Sequence, residues 1–288
     1  MTIDPTSSGM AVHSQEYLTA LHIVESRQEE LIVKQHLTNQ HWHEVFLLVA
    51  GLRNADEFLT LMEQEAQKLI NTDKLRALLN WSEQHTQNSE GAYKPAAKRV
   101  AAILFARAVA HDRARARGLD IDLKRALVLD PNLNFAPSYH LALDLDSVRG
   151  YNINRDRNYD DSLDLVCTSD CESDLYMDNC RTRVFHRARV HAGDLARISN
   201  SVDLTALIAE LEALNVEGCP DFANCIQQIW YNALHLDPRW LDLSEEEVRL
   251  FSDYLYAIKL IVQCKEAALR VSPQVWEAIE SRMLTVRE

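Results

Sequence analysis

Glycine and proline are scarce in this chain, seven of each in 288 residues. Tight turns between strands rely on those two residues, so their scarcity argues against a β-rich or loop-rich architecture. Long apolar runs are missing as well. No window approaches the ~18 uninterrupted apolar residues of a membrane-spanning helix, so no span is expected. The first dozen residues have neither a cationic start nor an apolar centre, so no secretory leader is expected. Positive charge is in deficit: 30 Lys and Arg stand against 43 Asp and Glu, a net charge of −13. That balance argues against nucleic acid as the main partner, because phosphate binding draws on a local cationic surface. Six cysteines in so long a chain do not make a disulfide framework, and a reduced, cytoplasmic setting is the expectation. No GxxxxGK[ST] occurs, so the glycine-rich cradle and lysine of a P-loop are absent, and no serine sits in a GxSxG context. Tetratricopeptide- and ankyrin-like periods are also lacking.

What is present is helical periodicity. Residues 40–86 read as three helices in succession. Val45, Leu48, Val49 and Leu52 share the first face, Phe58, Met62, Ala66 and Leu69 the second, and Leu75, Leu78 and Leu79 the third. Asn54 with Glu57 suggests a capping box for the second helix, and Thr72 a cap for the third. Short connections favour neighbours in sequence as packing partners. Upstream, Tyr17, Leu18, Leu21 and Val24 form an apolar face. An alanine-rich helix is expected from Ala96 to Arg117, and further helices near 203–214 and 221–236. Ser244 with Glu247 opens a long helix carrying Val248, Phe251, Leu255, Ile258 and Val262, and Ser272 with Pro273 opens the last. The fold expected is all-α, with antiparallel helical hairpins packed as an irregular array or bundle. The expected organisation is a flexible leader over 1–12, an N-terminal helical subdomain over 13–150 and a C-terminal one over 151–288, with the boundary in the loop-like Gly150–Asp160 stretch.

Three groups of residues invite a chemical reading. His43-Glu44 begins a zinc-hydrolase pattern, but Leu47 stands where the second histidine belongs, and His41 and His43, two apart, point to different sides of a helix. Cys167, Cys171, Cys180, His186 and His191 include a pair at i, i+4, and four of the five can close a tetrahedral zinc site, though not at the spacing of a tight metal knuckle. A zinc-binding domain or metal-dependent enzyme built on them is the alternative reading. A basic stretch over 94–125, with Arg113, Arg115 and Arg117 at its centre, precedes an acidic one over 144–178. Mutual or solvent-facing charge is the simpler account, and an RNA-binding surface the sharper one. The tryptophans Trp42, Trp81, Trp230, Trp240 and Trp276 sit at helix positions and read as core anchors, with Trp240 placed in a connection.

A resemblance joins several of these stretches. Gln15-Glu16-Tyr17-Leu18, Trp42, Glu44 to Leu52, Asn54 to Glu57, Ser89 to Arg99, Leu243 to Glu246, Tyr254 to Cys264 and Val271 to Glu280 together resemble the helical region C-terminal to the ATPase of NACHT-type signalling NTPases, members of the STAND group met in cyanobacterial proteins. The marks of the resemblance are Gln15, Glu16, Tyr17, Trp42, Glu44, Asn54, Ser244 and Pro273; Ser14 stands where that family has an aromatic residue. The resemblance implies a non-enzymatic helical module that senses, regulates or binds protein, possessing no cofactor and partnered by a NACHT NTPase module in cis or in trans. It implies no active site, and residues 100–215 match by composition more than by motif.

Overall fold

The structure, a computed structural model, describes residues 6–87, 89, 93–109, 199, 204–213 and 222–286. Among the described residues the regular structure is ten α-helices and two short 3-10 turns, with no strand beyond one isolated bridge. The all-α expectation holds. The helices are α1 (Thr6–Ser26), α2 (Glu29–His36), α3 (His43–Leu52), α4 (Asp56–Gln67), α5 (Asp73–Thr86), α6 (Pro95–Val109), α7 (Leu204–Ala213), α8 (Phe222–Ala233), α9 (Glu245–Ala267) and α10 (Pro273–Arg282). The Gly150–Asp160 boundary lies outside the described residues.

Local chemistry explains several helix starts. Thr72 accepts a hydrogen bond from Leu75 N at 3.3 Å, which satisfies one of the free N–H groups at the start of α5. Ser244 and Glu247 form the full capping box of α9: Ser244 Oγ accepts from Glu247 N at 3.2 Å and Glu247 Oε2 accepts from Ser244 N at 2.8 Å. Pro273 occupies the first turn of α10, where its missing N–H costs no bond.

Two expected caps are diverted instead. Asn54 makes no capping box with Glu57; its Oδ1 accepts from Asp56 N at 3.1 Å, and Ala55 becomes the N-cap of α4. Its backbone is drawn into a parallel bridge with Arg270, fixed by Ala55 N donating to Arg270 O at 3.0 Å. Ser272 likewise leaves its own helix uncapped, because its hydroxyl and its N–H both donate to the Asp56 carboxylate.

Helix α9 is the hub. Eight of its side chains are buried, among them Phe251, Tyr254, Leu255, Ile258 and Ile261. That is a wider band than one amphipathic stripe, because α9 is covered by α3 on one side and α4 on another. Pairing between sequence neighbours, expected among the helices of residues 40–86, is not how those three helices mainly pack: α5 packs on α6, beyond that stretch. Helices α3 and α4 instead share a partner some two hundred residues away, while α1 packs on α3 and α2 on α4. Gly51 marks a close approach of α3 to α9: a Cβ there would lie 3.3 Å from the Ala267 carbonyl oxygen. The core continues through Phe46 and Phe58, whose rings lie 5.7 Å apart, to Phe105 packed edge-on against Trp230 at 5.0 Å.

Helix α1 differs from expectation in the face it buries. Ala20 and Ile23 face inward at 0% and 3% exposure, whereas Tyr17 and Leu18 are exposed at 46% and 62%. The inward stripe is therefore rotated from the one that the larger apolar residues suggest. Cys264 is a buried free thiol, while Cys225 is disulfide-bonded, against the expectation of a fully reduced set.

Candidate functional site

A buried polar cluster joins four elements beneath α10. It starts with charged residues set on apolar helix faces. Glu63 shares a face of α4 with Leu59 and Ala66, and Arg99 shares a face of α6 with Ala96 and Ile103; all six are buried. A buried charge is costly unless it is paired and hydrogen-bonded, and both are. Arg282 at the end of α10 donates from Nε to Glu63 Oε1 at 2.8 Å and from Nη2 to Oε2 at 2.7 Å. Arg99 Nη1 donates to the carbonyls of Ser281 at 3.0 Å and Met283 at 2.7 Å, the carbonyl groups that the end of α10 leaves free.

Tyr254 completes the cluster from α9. Its hydroxyl oxygen accepts from Leu284 N at 2.9 Å. Leu284 stands at φ +60°, a left-handed conformation that a branched residue adopts only under constraint. Burial pushes the Tyr254 phenol well above its ordinary range and the Arg99 guanidinium below its own. The phenol therefore stays protonated near neutral pH. These groups hold a chain segment in place.

A second polar junction lies where α10 begins. The Asp56 carboxylate accepts from Ser272 N at 2.7 Å and from Ser272 Oγ at 2.5 Å. The Ser272 hydroxyl, and then its N–H, hold the Asp56 carboxyl below the usual carboxylate range.

The residues singled out in the sequence are placed as follows. Gln15 and Tyr17 are exposed on α1, and Gln15 O accepts from Thr19 Oγ1 at 2.8 Å. Glu16 lies half-buried on the same helix. Trp42 stacks on His36, with ring centroids 3.9 Å apart and planes 4° from parallel. His43 bridges Glu44 and α9, with Nδ1 3.2 Å from Glu44 Oε1 and Nε2 3.1 Å from Gln263 Oε1. His41 is exposed, and Leu47 packs against the core, so this segment gathers no metal ligands. Among the described residues no three His, Cys, Asp or Glu side chains come together to hold a metal ion. Cys167, Cys171, Cys180, His186 and His191 lie outside the described residues, as do Arg113, Arg115 and Arg117.

The start of the basic stretch is already engaged within the fold. Lys94 pairs with Glu280 at 2.8 Å, Lys98 donates to Ser89 O at 3.0 Å, and Arg99 belongs to the cluster. Trp81 and Trp230 are buried, as expected of core anchors, and Trp81 Nε1 donates to Leu234 O at 2.9 Å. Trp240 is half-buried in the 3-10 turn Pro238–Trp240, and Trp276 is half-buried beneath Lys265, whose Nζ lies 5.4 Å from its ring centroid.

Glu63, Tyr254 and Arg282 were not singled out from sequence as site residues. The available signal was a charge at an inward position, Glu63 between Leu59 and Ala66, which periodicity alone marks without naming its partner.

The fold and this site define a helical scaffold whose polar core fastens one helix onto others. Residues 204–286, spanning α7 to α10, match the family model described as NACHT C-terminal Helical domain 2. The resemblance read from the sequence is thus met over that part of the chain. No curated protein and no solved structure matches it.

No helix among the described residues is long and apolar enough to cross a membrane.

Proposed function

We propose that the chain is a non-enzymatic regulatory or protein-interaction module that works with a NACHT NTPase module, in cis or in trans, in the cytoplasm. The observation that carries this reading is the family match over residues 204–286. The packing of α9 supports extending it: α9 lies inside the matched region, yet its buried face is completed by α3 and α4, far outside that region. One core therefore unites the two ends of the chain, and the module extends beyond the matched helices. The polar cluster fits a scaffolding role, since Arg99, Arg282 and Tyr254 all bond to other groups of the chain there.

The test is co-expression with a P-loop-bearing NACHT polypeptide, followed by co-purification and measurement of that polypeptide's ATP turnover with and without this chain. A complex with altered turnover supports the proposal. Absence of both a complex and any change in turnover, across NACHT modules encoded beside or fused to this chain, overturns it.

A further inference from the structure

We infer that residues 270–286 form a strap that opens and closes as one unit while the helices beneath it stay folded. Within the strap three apolar side chains are buried, Ile279 in α10 and Met283 and Leu284 just after it, whereas α9 buries eight side chains. Apolar burial sets most of the cost of lifting a helix away, so α10 lies at the low-stability end of this domain.

The strap is fastened at its two ends by polar contacts. At its entry, Ser272 is held by Asp56 beside the Arg270 bridge. At its exit, Arg282 is held by Glu63, and Leu284 N–H by Tyr254. Polar contacts exchange with water at small net cost once the segment lifts and both partners are hydrated. The left-handed backbone at Leu284 also relaxes on release, which favours opening. Two ends fastened by separate acceptors, with Ile279 buried between them and Met283 and Leu284 buried at the exit, give a cooperative unit with two states.

Hydrogen–deuterium exchange on the full chain, read by mass spectrometry, tests this. In the wild type, the amides of 274–286 are expected to exchange together and at least about tenfold faster than the buried stretch 251–264 of α9, the separation expected when a sub-global opening precedes global unfolding. Tyr254→Phe preserves the ring and removes the acceptor of Leu284 N–H. It is expected to speed exchange across 274–286 by about fivefold, the effect of one hydrogen bond, with α3 and α4 unchanged. Equal protection of the strap and α9 in the wild type overturns the inference. So does a Tyr254→Phe effect that is absent, or spread evenly over α3, α4 and α10.

Discussion

Arg282 grips the Glu63 carboxylate with two parallel hydrogen bonds, at 2.8 and 2.7 Å, and the two residues differ sharply in burial: the Glu63 side chain is 0% exposed and that of Arg282 36%. The carboxylate has given up its water, whereas the guanidinium keeps part of its own. Removing the arginine therefore strands a buried charge. Arg282→Ala is expected to destabilise the fold by on the order of 2–3 kcal/mol, below the ~3–5 kcal/mol of a fully buried pair because Arg282 is partly hydrated already. Replacing both partners, as Glu63→Met with Arg282→Leu, is expected to recover most of that loss, because no charge is then left buried. Urea denaturation of the wild type and the two variants checks both statements, and a double variant no better than Arg282→Ala contradicts them.

Asp56 ties stability to acid. Its hydrogen bonds from Ser272 depress its carboxyl in the folded state, so the unfolded chain takes up the proton first as pH falls. The stabilisation is fully present above about pH 3.9, the unfolded carboxyl value, and is lost as pH falls from there through the folded value. The advantage of the wild type over Asp56→Asn in urea melts is expected to be constant between pH 7 and about pH 5 and to shrink below about pH 3.9. An advantage that grows in acid contradicts the assignment.

His85 acts in a higher window. It is buried on α5, with Nδ1 3.0 Å from Trp81 O and its ring 4.8 Å from the Trp81 ring, and burial lowers its pKa. The unfolded chain therefore binds the proton first as pH drops below about 6.5. The wild type is expected to lose stability relative to His85→Leu as pH falls from about 7.5 to about 5.5, with the sign set by the depressed folded-state value. Chemical melts at those two pH values measure it.

Gly51 tests the hub. Because a Cβ at that position already meets the Ala267 carbonyl at 3.3 Å, the branched side chain of Gly51→Val has to push α3 from α9. A destabilisation of roughly 1–3 kcal/mol is expected, the range for overpacking in a filled core. A variant as stable as the wild type shows that the contact yields freely.

Much of the fold is legible in the sequence because periodicity and caps are local. The Ser244–Glu247 box and the inward stripe at Phe251, Leu255 and Ile258 lie within one helix, and both are found in place. What failed was set at long range. Ser272 carries capping chemistry, yet Asp56 takes both its hydroxyl and its N–H across more than two hundred positions of sequence, and that competition leaves no local mark. Tyr17 and Leu18 belong to the apolar face read for α1, yet Ala20 and Ile23 are the ones buried where α1 packs on α3. The polar cluster was hidden for a related reason. Its residues come from α4, α6, α9 and α10, and each taken alone is only a charge or a tyrosine on an amphipathic helix.

With no GxxxxGK[ST] sequence to cradle phosphates, the chain is expected neither to bind nor to hydrolyse ATP. Isothermal titration of the purified full chain with magnesium-ATP, paired with a phosphate-release assay, tests it most directly. The account expects no saturable binding and no release above the protein-free rate. Stoichiometric ATP binding, or hydrolysis that scales with protein concentration and survives repurification, contradicts it.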